Sequence, residues 1–142
     1  GLEVKGRRPG VVHQHGGPAR MRGRGDRRHV LHLETQRARR LDDDGARVVA
    51  FAASDDPEDG DVFVQQDIAD PTAPLYLEVS DEIFGGYDAL LGVTFADGLI
   101  TLTIRPDMVM WFGAVAQVLV HWDATTDGGA EAAAALEAMT KA

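Results

Sequence analysis

Residues 90–104, LLGVTFADGLITLTI, decide the fold class of this chain. Apolar side chains alternate with polar or small ones on both sides of Asp97-Gly98, and this period of two residues is typical of β-strands. Asp-Gly between two such runs predicts a hairpin with a type I′ turn, because Asp tolerates positive φ and Gly has no side chain to clash. The chain is therefore expected to contain antiparallel sheet.

Further segments of strand length lie on both sides of this hairpin. Short apolar or alternating runs, bounded by acidic or Pro-containing turns, predict strands at 48–52, 62–66, 75–79 and 117–123. The Ala-rich stretch 130–141 predicts a helix with Ala132, Leu136 and Met139 on one side. We predict an α+β fold, with an antiparallel sheet of about six to seven strands and one C-terminal helix packed on a face.

Charge divides the chain into two unequal parts. Residues 1–40 carry eleven basic and three acidic side chains, whereas residues 41–142 carry three basic and twenty acidic ones, a net charge of −17. Residues 1–28 are rich in Gly and Arg and have too few apolar side chains to offset their conformational entropy, which predicts a disordered basic tail. Residues 29–142 are predicted to form a single acidic domain.

The basic tail has several interpretations. It is a genuine tail, or it lies upstream of a true start at Met21, or it folds back onto the acidic domain. It lacks the apolar core of a signal peptide. We do not expect it to bind nucleic acid, because no aromatic side chain is interleaved with its arginines to stack on bases.

Composition leaves few ways for this chain to act as an enzyme. Cys and Asn are absent and Ser occurs only at positions 54 and 80, which excludes thiolate metal sites and a cysteine nucleophile. No phosphate-binding Gly-rich loop and no membrane-spanning apolar run is present. The histidine pairs 13/15 and 29/32 have no third ligand at a fixed spacing, so no metal or other cofactor is expected there.

The densest polar cluster surrounds Gly85-Gly86 and is predicted to lie on a loop between two strands. Its members are Glu78, Asp81, Glu82, Tyr87 and Asp88. It could bind a divalent cation, supply an acid and base pair, or form a solvated turn, but it has neither calcium-loop spacing nor a visible cleft. An acidic loop with an aromatic side chain favours recognition of a basic partner.

His121 and Trp111 are two further candidates for a functional role. His121 stands next to Trp122 on a predicted strand, where a hydrogen-bonded core or edge histidine is expected rather than a catalyst. Trp111, beside Phe112 and near two methionines, is typical of core packing or of an exposed apolar patch for a partner. We therefore add Trp111 to the candidate partner-binding residues and predict no catalytic residue.

The segment 75–90, LYLEVSDEIFGGYDAL, resembles the immunity protein 10 family of bacterial polymorphic toxin systems. The resemblance rests on the order of Tyr76, Glu78, Asp81, Gly85, Gly86 and Tyr87, and it extends loosely over residues 30–140. The chain departs from the family at 88–89, where a second glycine pair is expected, and the segment 107–113 has no counterpart.

The resemblance implies a cytoplasmic, non-catalytic protein that binds and neutralises a cognate toxin domain. The acidic charge is consistent with a basic partner such as a nuclease toxin. In this interpretation Tyr87 and Trp111 supply buried contact area, and the carboxylates, including those of the loop 55–61, supply orientation and association rate. The alternative is a small intracellular metal-binding or hydrolytic protein that uses the carboxylates of Glu78, Asp81, Glu82 and Asp88.

Overall fold

The computed structural model describes residues 29–141, apart from the side chains of residues 57 and 81–83. In this range the chain forms nine strands and one helix. The strands are β1 His29–Glu34, β2 Arg37–Asp43, β3 Ala46–Ala52, β4 Asp61–Asp67, β5 Tyr76–Val79, β6 Asp81–Tyr87, β7 Leu90–Ala96, β8 Leu99–Ile104 and β9 Val115–His121. The helix, α1, is Gly129–Lys141, and short 3₁₀ turns occur at Pro57–Asp59, Pro106–Met108 and Met110–Phe112. The predicted disordered tail and the predicted start at Met21 lie outside the described residues.

The strands form two sheets. One has the order β1-β9-β8-β7, and the other is a meander with the order β2-β3-β4-β5-β6. All neighbouring strands are antiparallel except β1 and β9, which are parallel. The α+β class with its C-terminal helix is confirmed, but the strands number nine in two sheets rather than six or seven in one.

The chain passes from one sheet to the other at Thr35 and Gln36. The backbone N–H of Thr35 donates to the carbonyl of His121 in the first sheet, and that of Gln36 donates to the carbonyl of Ala52 in the second. Two successive residues thus complete different sheets. The sequence does not reveal this break, because residues 30–40 mix apolar, polar and basic side chains and include no Gly, Pro, Asp or Asn at which a turn is expected.

The hairpin predicted from residues 90–104 is present as β7 and β8, but its turn differs in detail. Positive φ is found at Gly98 (74°) and not at Asp97, so the turn is not type I′. A residue outside the hairpin stabilises this turn, because the backbone N–H of Trp122 donates to the carbonyl of Gly98. The turn between β2 and β3 has positive φ at both Asp44 (54°) and Gly45 (82°), as a type I′ turn requires.

Both sheets and the helix share one hydrophobic core. Its largest fully buried side chains include Phe51, Leu77, Ile100, Leu102, Phe112 and Leu136. The helix packs against β2 and β3, and burying a side chain such as Leu136 stabilises the fold by about 2 kcal/mol.

The segment before the helix is fixed beside β2. The backbone N–H of Ala38 donates to Asp127, and that of Asp127 donates to Gln36. Gly128 has a φ of 76°, and a Cβ on this residue would overlap the backbone carbonyl of Ala38. Only glycine therefore fits where the chain enters the helix.

Candidate partner-binding surface

The predicted acidic loop around Gly85-Gly86 is a strand, β6, at the edge of the five-stranded sheet. Neighbouring residues of β5 do not face neighbouring residues of β6, because Val79 is opposite Asp81 whereas Glu78 is opposite Gly85. Residues 82–84 of β6 therefore have no opposite residue on β5, and the pairing is irregular at this point. Glycine weakens a strand by itself, and its presence inside one often marks a close approach of other groups. The loop prediction was wrong because the groups that support this strand lie far along the sequence.

Those supporting groups come from the 3₁₀ turns that precede β9. The indole Nε1–H of Trp111 donates to the carbonyl oxygen of Gly85 at 2.6 Å. A Cβ on Gly86 would lie 3.1 Å from Cε of Met108 and 3.5 Å from Nε1 of Trp111. The absence of a side chain at Gly86 therefore lets the 3₁₀ turns lie directly against β6.

A row of aromatic side chains crosses the outward face of the same sheet. Tyr76 of β5 pairs with Tyr87 of β6, and their ring centroids are 5.0 Å apart. The ring of Phe63, on β4, lies 6.0 Å from that of Tyr76. These side chains point away from the core, because the alternate residues Val64 and Leu77 are buried. We call Phe63, Tyr76 and Tyr87 the aromatic row.

Large apolar side chains remain exposed at the β6 end of this row. Tyr87 is 64% exposed, Trp111 is 61% exposed and Met110 is 71% exposed. Gly85, which accepts the hydrogen bond from Trp111, precedes Tyr87 by two residues, about 7 Å along the strand. Trp111 lies against Gly86, whose Cβ direction is that of the buried Leu77, whereas Tyr87 is on the outward face, so the two exposed side chains lie on opposite sides of one edge strand.

The carboxylate of Glu78 belongs to the same outward face. Its Oε1 accepts a hydrogen bond from the hydroxyl of Tyr76 at 2.8 Å. This bond joins a member of the aromatic row to an acidic group and holds the carboxylate beside the rings. Glu78 thus orients Tyr76 and adds negative charge to this face.

The remaining predicted carboxylates are distributed along β6. Asp88 follows the strand, is exposed and has a φ of 59°, and its backbone N–H donates to the carbonyl of Leu75. Asp81 and Glu82 lie in the backbone of β6, but their side chains are outside the described part of the structure. The structure therefore places Glu78 and Tyr87 on one face of the sheet, Trp111 against the other side of β6, and Asp88 at the adjacent strand end.

A second acidic segment, the loop before β4, is shaped by its own hydrogen bonds. The hydroxyl of Ser54 donates to the carboxylate of Asp59 at 2.6 Å, and the backbone N–H of Glu58 donates to that of Asp56 at 3.0 Å. Asp55 forms an ion pair with Arg37 at 3.1 Å.

Residues 29–141 contain six basic and twenty-one acidic side chains, a net charge of −15.

Two carboxyl groups elsewhere in the described residues, those of Asp42 and Asp123, have lowered pKa values. A side-chain hydrogen bond from Arg47 is the main cause that lowers the pKa of Asp42, and the charges of Arg47 and Arg40 act in the same direction. The pKa of Asp123 is lowered chiefly by the hydroxyl of Thr125 and by backbone hydrogen bonds. Both groups stabilise turns and lie outside the candidate surface.

The arrangement is suited to contact with a macromolecule. It presents aromatic rings on a sheet face, hydrogen-bonding groups on their rims and carboxylates beside them. Among the residues whose side chains are described, no three His, Asp or Glu side chains are grouped to hold a metal ion. No helix in residues 29–141 is both long and apolar enough to cross a bilayer.

Sequence reasoning did not include Phe63, and it named Tyr76 only as part of the family resemblance and not as a partner-binding residue. Tyr76 and Glu78 are two residues apart on a predicted strand, so they were bound to share a face. Phe63 required the register between β4 and β5, which places Gln65 opposite Tyr76. That register depends on the length of the intervening loop and on the hydrophobic core, and a single sequence does not define it.

Comparison with models of known protein families finds no match, and comparison with curated proteins finds no similar one either.

Proposed function

We propose that this protein is a non-catalytic binding protein of the immunity type, which binds and neutralises a cognate basic toxin domain in the bacterial cytoplasm. The observation that carries the proposal is the exposure of Tyr87 on an edge strand, on the same face as the Glu78 carboxylate, together with the exposure of Trp111 against the other side of that strand. Tyr and Trp are the residues most enriched among those that dominate binding energy at interfaces.

The exposed aromatic area supports an interface. Trp111 is fixed by its bond to Gly85, and Tyr87 lies against Tyr76, so each side chain is partly ordered before a partner arrives. Ordering a side chain on association costs about 0.5–1.5 kcal/mol, and a side chain that is already held avoids part of this cost. The surface is therefore arranged for binding rather than for packing within the chain.

The charge supports a basic partner. A domain with a net charge of −15 attracts a positively charged protein, and such steering raises association rates by about 10 to 10³-fold at low ionic strength. A toxin that acts on nucleic acid has a basic substrate site. Carboxylates such as those of Glu78 and Asp88 are suited to occupy the positions that phosphates take in such a site.

The resemblance of residues 75–90 to immunity proteins supports the same class of function. The residues that carry the resemblance include Tyr76, Glu78 and Tyr87, and these lie together on the outward face of the five-stranded sheet. The resemblance and the geometry thus indicate one surface. The experiment has to test both the partner class and this surface.

The experiment is co-expression in bacteria. The toxin to use is the C-terminal domain encoded by a polymorphic toxin gene adjacent to the gene for this protein. Expression of this toxin domain is induced in cells that contain this protein and in cells that lack it. We expect growth to be rescued by the wild type, to be impaired with a Tyr87→Ala/Trp111→Ala double variant, and to be retained with Val30→Ala. Val30 is an exposed apolar residue of β1, in the other sheet, and serves as the matched control.

Calorimetry with purified proteins distinguishes neutralisation by binding from an indirect effect. We expect calorimetry to show one complex, and stopped-flow mixing to show an association rate that falls steeply as salt is raised. The absence of an adjacent toxin gene, or rescue without complex formation, would contradict the proposal. Equal rescue by the double variant would leave the partner class intact and reject the surface.

A further inference from the structure

Two histidines meet on the outward face of the four-stranded sheet, in a region that the proposed function does not use. His32 lies on β1 and His121 lies on β9, and these strands are parallel with Glu34 opposite His121. His32 is exposed and His121 is half-buried. Sequence spacing pairs His32 with His29, whereas the fold pairs it with a residue 89 positions away.

The two rings approach each other with one nitrogen atom each. Nδ1 of His32 and Nε2 of His121 are 3.1 Å apart, and the ring planes differ by 14°. The ring centroids are 5.3 Å apart, 2.2 Å more than the nitrogens, so the rings lie end to end and are not stacked face to face. One ring therefore donates its N–H and the other accepts with its lone pair.

The same spacing is that of two neighbouring ligands on one metal ion. Zinc–imidazole bonds are about 2.0–2.1 Å long, and nitrogens 3.1 Å apart then subtend about 98° at the metal. This angle lies between those of square and tetrahedral coordination. Imidazole nitrogen is a preferred ligand of Zn²⁺, Cu²⁺ and Ni²⁺, whereas Mg²⁺ and Ca²⁺ prefer oxygen.

We infer that His32 and His121 form a two-histidine binding site for a divalent transition metal, with Cu²⁺ bound most tightly. The ring that carries the shared proton moves it to its other nitrogen through water, so both lone pairs face the metal. The neutral pair then binds the cation without net loss of a proton. Because the rings lie end to end, each ring turns by about 40° away from the line that joins the two nitrogens, and both lone pairs then point at one centre.

The surroundings fit a surface site with open coordination positions. Within the described residues no third His, Asp or Glu side chain is grouped with this pair, so water fills the other positions. Glu34 adds negative charge on the same face of the sheet. A site with two protein ligands binds a metal ion more weakly than a closed four-ligand zinc site does. Such a site binds Cu²⁺ more tightly than Zn²⁺.

Calorimetric titration of the full chain, first stripped with a chelator, tests the inference with CuCl₂, ZnCl₂ and MgCl₂. We expect a site for Cu²⁺ and, more weakly, for Zn²⁺ that His32→Gln or His121→Gln each weakens by at least about 10-fold. Changes of 10–100-fold are seen even for residues that only support a metal ligand. His29→Gln and a His13→Gln/His15→Gln double variant are the controls and should retain the site.

Imidazole ¹⁵N spectra of the wild type with Zn²⁺ avoid any dependence on folding of the variants. We expect zinc to shift Nδ1 of His32 and Nε2 of His121 together. Zinc-induced shifts confined to other histidines, or copper affinity unchanged in a His32→Gln/His121→Gln variant, would overturn the inference. Neither result depends on the proposed toxin partner.

Discussion

Trp111 donates its indole N–H to the backbone carbonyl of Gly85 at 2.6 Å, although 26 residues separate them in the sequence. This bond ties the 3₁₀ turns to the edge strand of the five-stranded sheet and fixes the indole while it stays 61% exposed. An edge carbonyl that accepts a side-chain donor is also unavailable for pairing with another chain. Trp111 therefore supports the strand that carries Tyr87.

Replacing Trp111 by Phe should remove this hydrogen bond and keep an aromatic ring. We expect the free energy of unfolding to fall by about 0.5–1.5 kcal/mol, as measured by denaturant titration. Met110→Leu, at the neighbouring exposed position, is the control and should stay within about 0.5 kcal/mol of the wild type. Equal stability of Trp111→Phe and Met110→Leu would show that the bond contributes nothing.

Tyr87 should contribute more to toxin binding than any single carboxylate of the rim. Tyr87→Ala is expected to cost about 2 kcal/mol or more of binding free energy, and Asp56→Ala less than about 1 kcal/mol, because an exposed charge is screened by solvent. Calorimetry with the cognate toxin domain measures both. Small, equal losses for the two variants would reject this division of roles.

Two glycines with positive φ should respond very differently to alanine. Gly45→Ala meets no atom within 4 Å and bears only the left-handed backbone, so we expect a loss of about 1 kcal/mol. Gly128→Ala adds overlap with the backbone carbonyl of Ala38, and we expect a loss of about 3 kcal/mol or more. Thermal and denaturant unfolding would contradict this packing if both variants lost the same amount.

Asp42 should make stability depend on pH in the acid range. Its pKa is lower in the folded chain because Arg47 donates to its carboxylate. The stabilisation is therefore present above the unfolded pKa of about 3.9 and is lost as the pH falls through the lower folded value.

The matched variants are Asp42→Asn and, one residue on, Asp43→Asn. Between pH 6 and pH 3 the denaturation midpoint of Asp42→Asn should fall less than that of the wild type, and Asp43→Asn should follow the wild type. Equal slopes for wild type and Asp42→Asn would be the contrary result.

Calcium or magnesium should leave the melting temperature unchanged if the acidic groups serve a protein partner. The alternative, a metal-binding or hydrolytic protein that uses Glu78 and Asp88 with their neighbours, predicts a stabilisation of about 2.7 kcal/mol at 100 times the dissociation constant. A melting series with each ion decides between them. A clear upward shift that Glu78→Gln abolishes would favour the alternative.

Local signals were sufficient to predict the hairpin of β7 and β8 and the helix α1. Both depend on alternation, helix propensity and turn residues within fewer than twenty positions. Strand β6 was missed because its glycines are poor strand formers, and Trp111 and Met108 support it from a distant segment. The junction at Thr35 was missed for a similar reason, since one of its partners, His121, lies near the other end of the described residues.

The parallel pairing of β1 with β9 has a consequence for how the molecule is made. Every other neighbouring pair among the described strands consists of strands consecutive in the sequence, whereas β1 can pair only after the last strand has left the ribosome. Pairing across so long a separation slows folding, because the intervening loop has to close before the contact is gained. The meander of β2 to β6 can assemble during synthesis, and the four-stranded sheet is completed only after translation has passed residue 121.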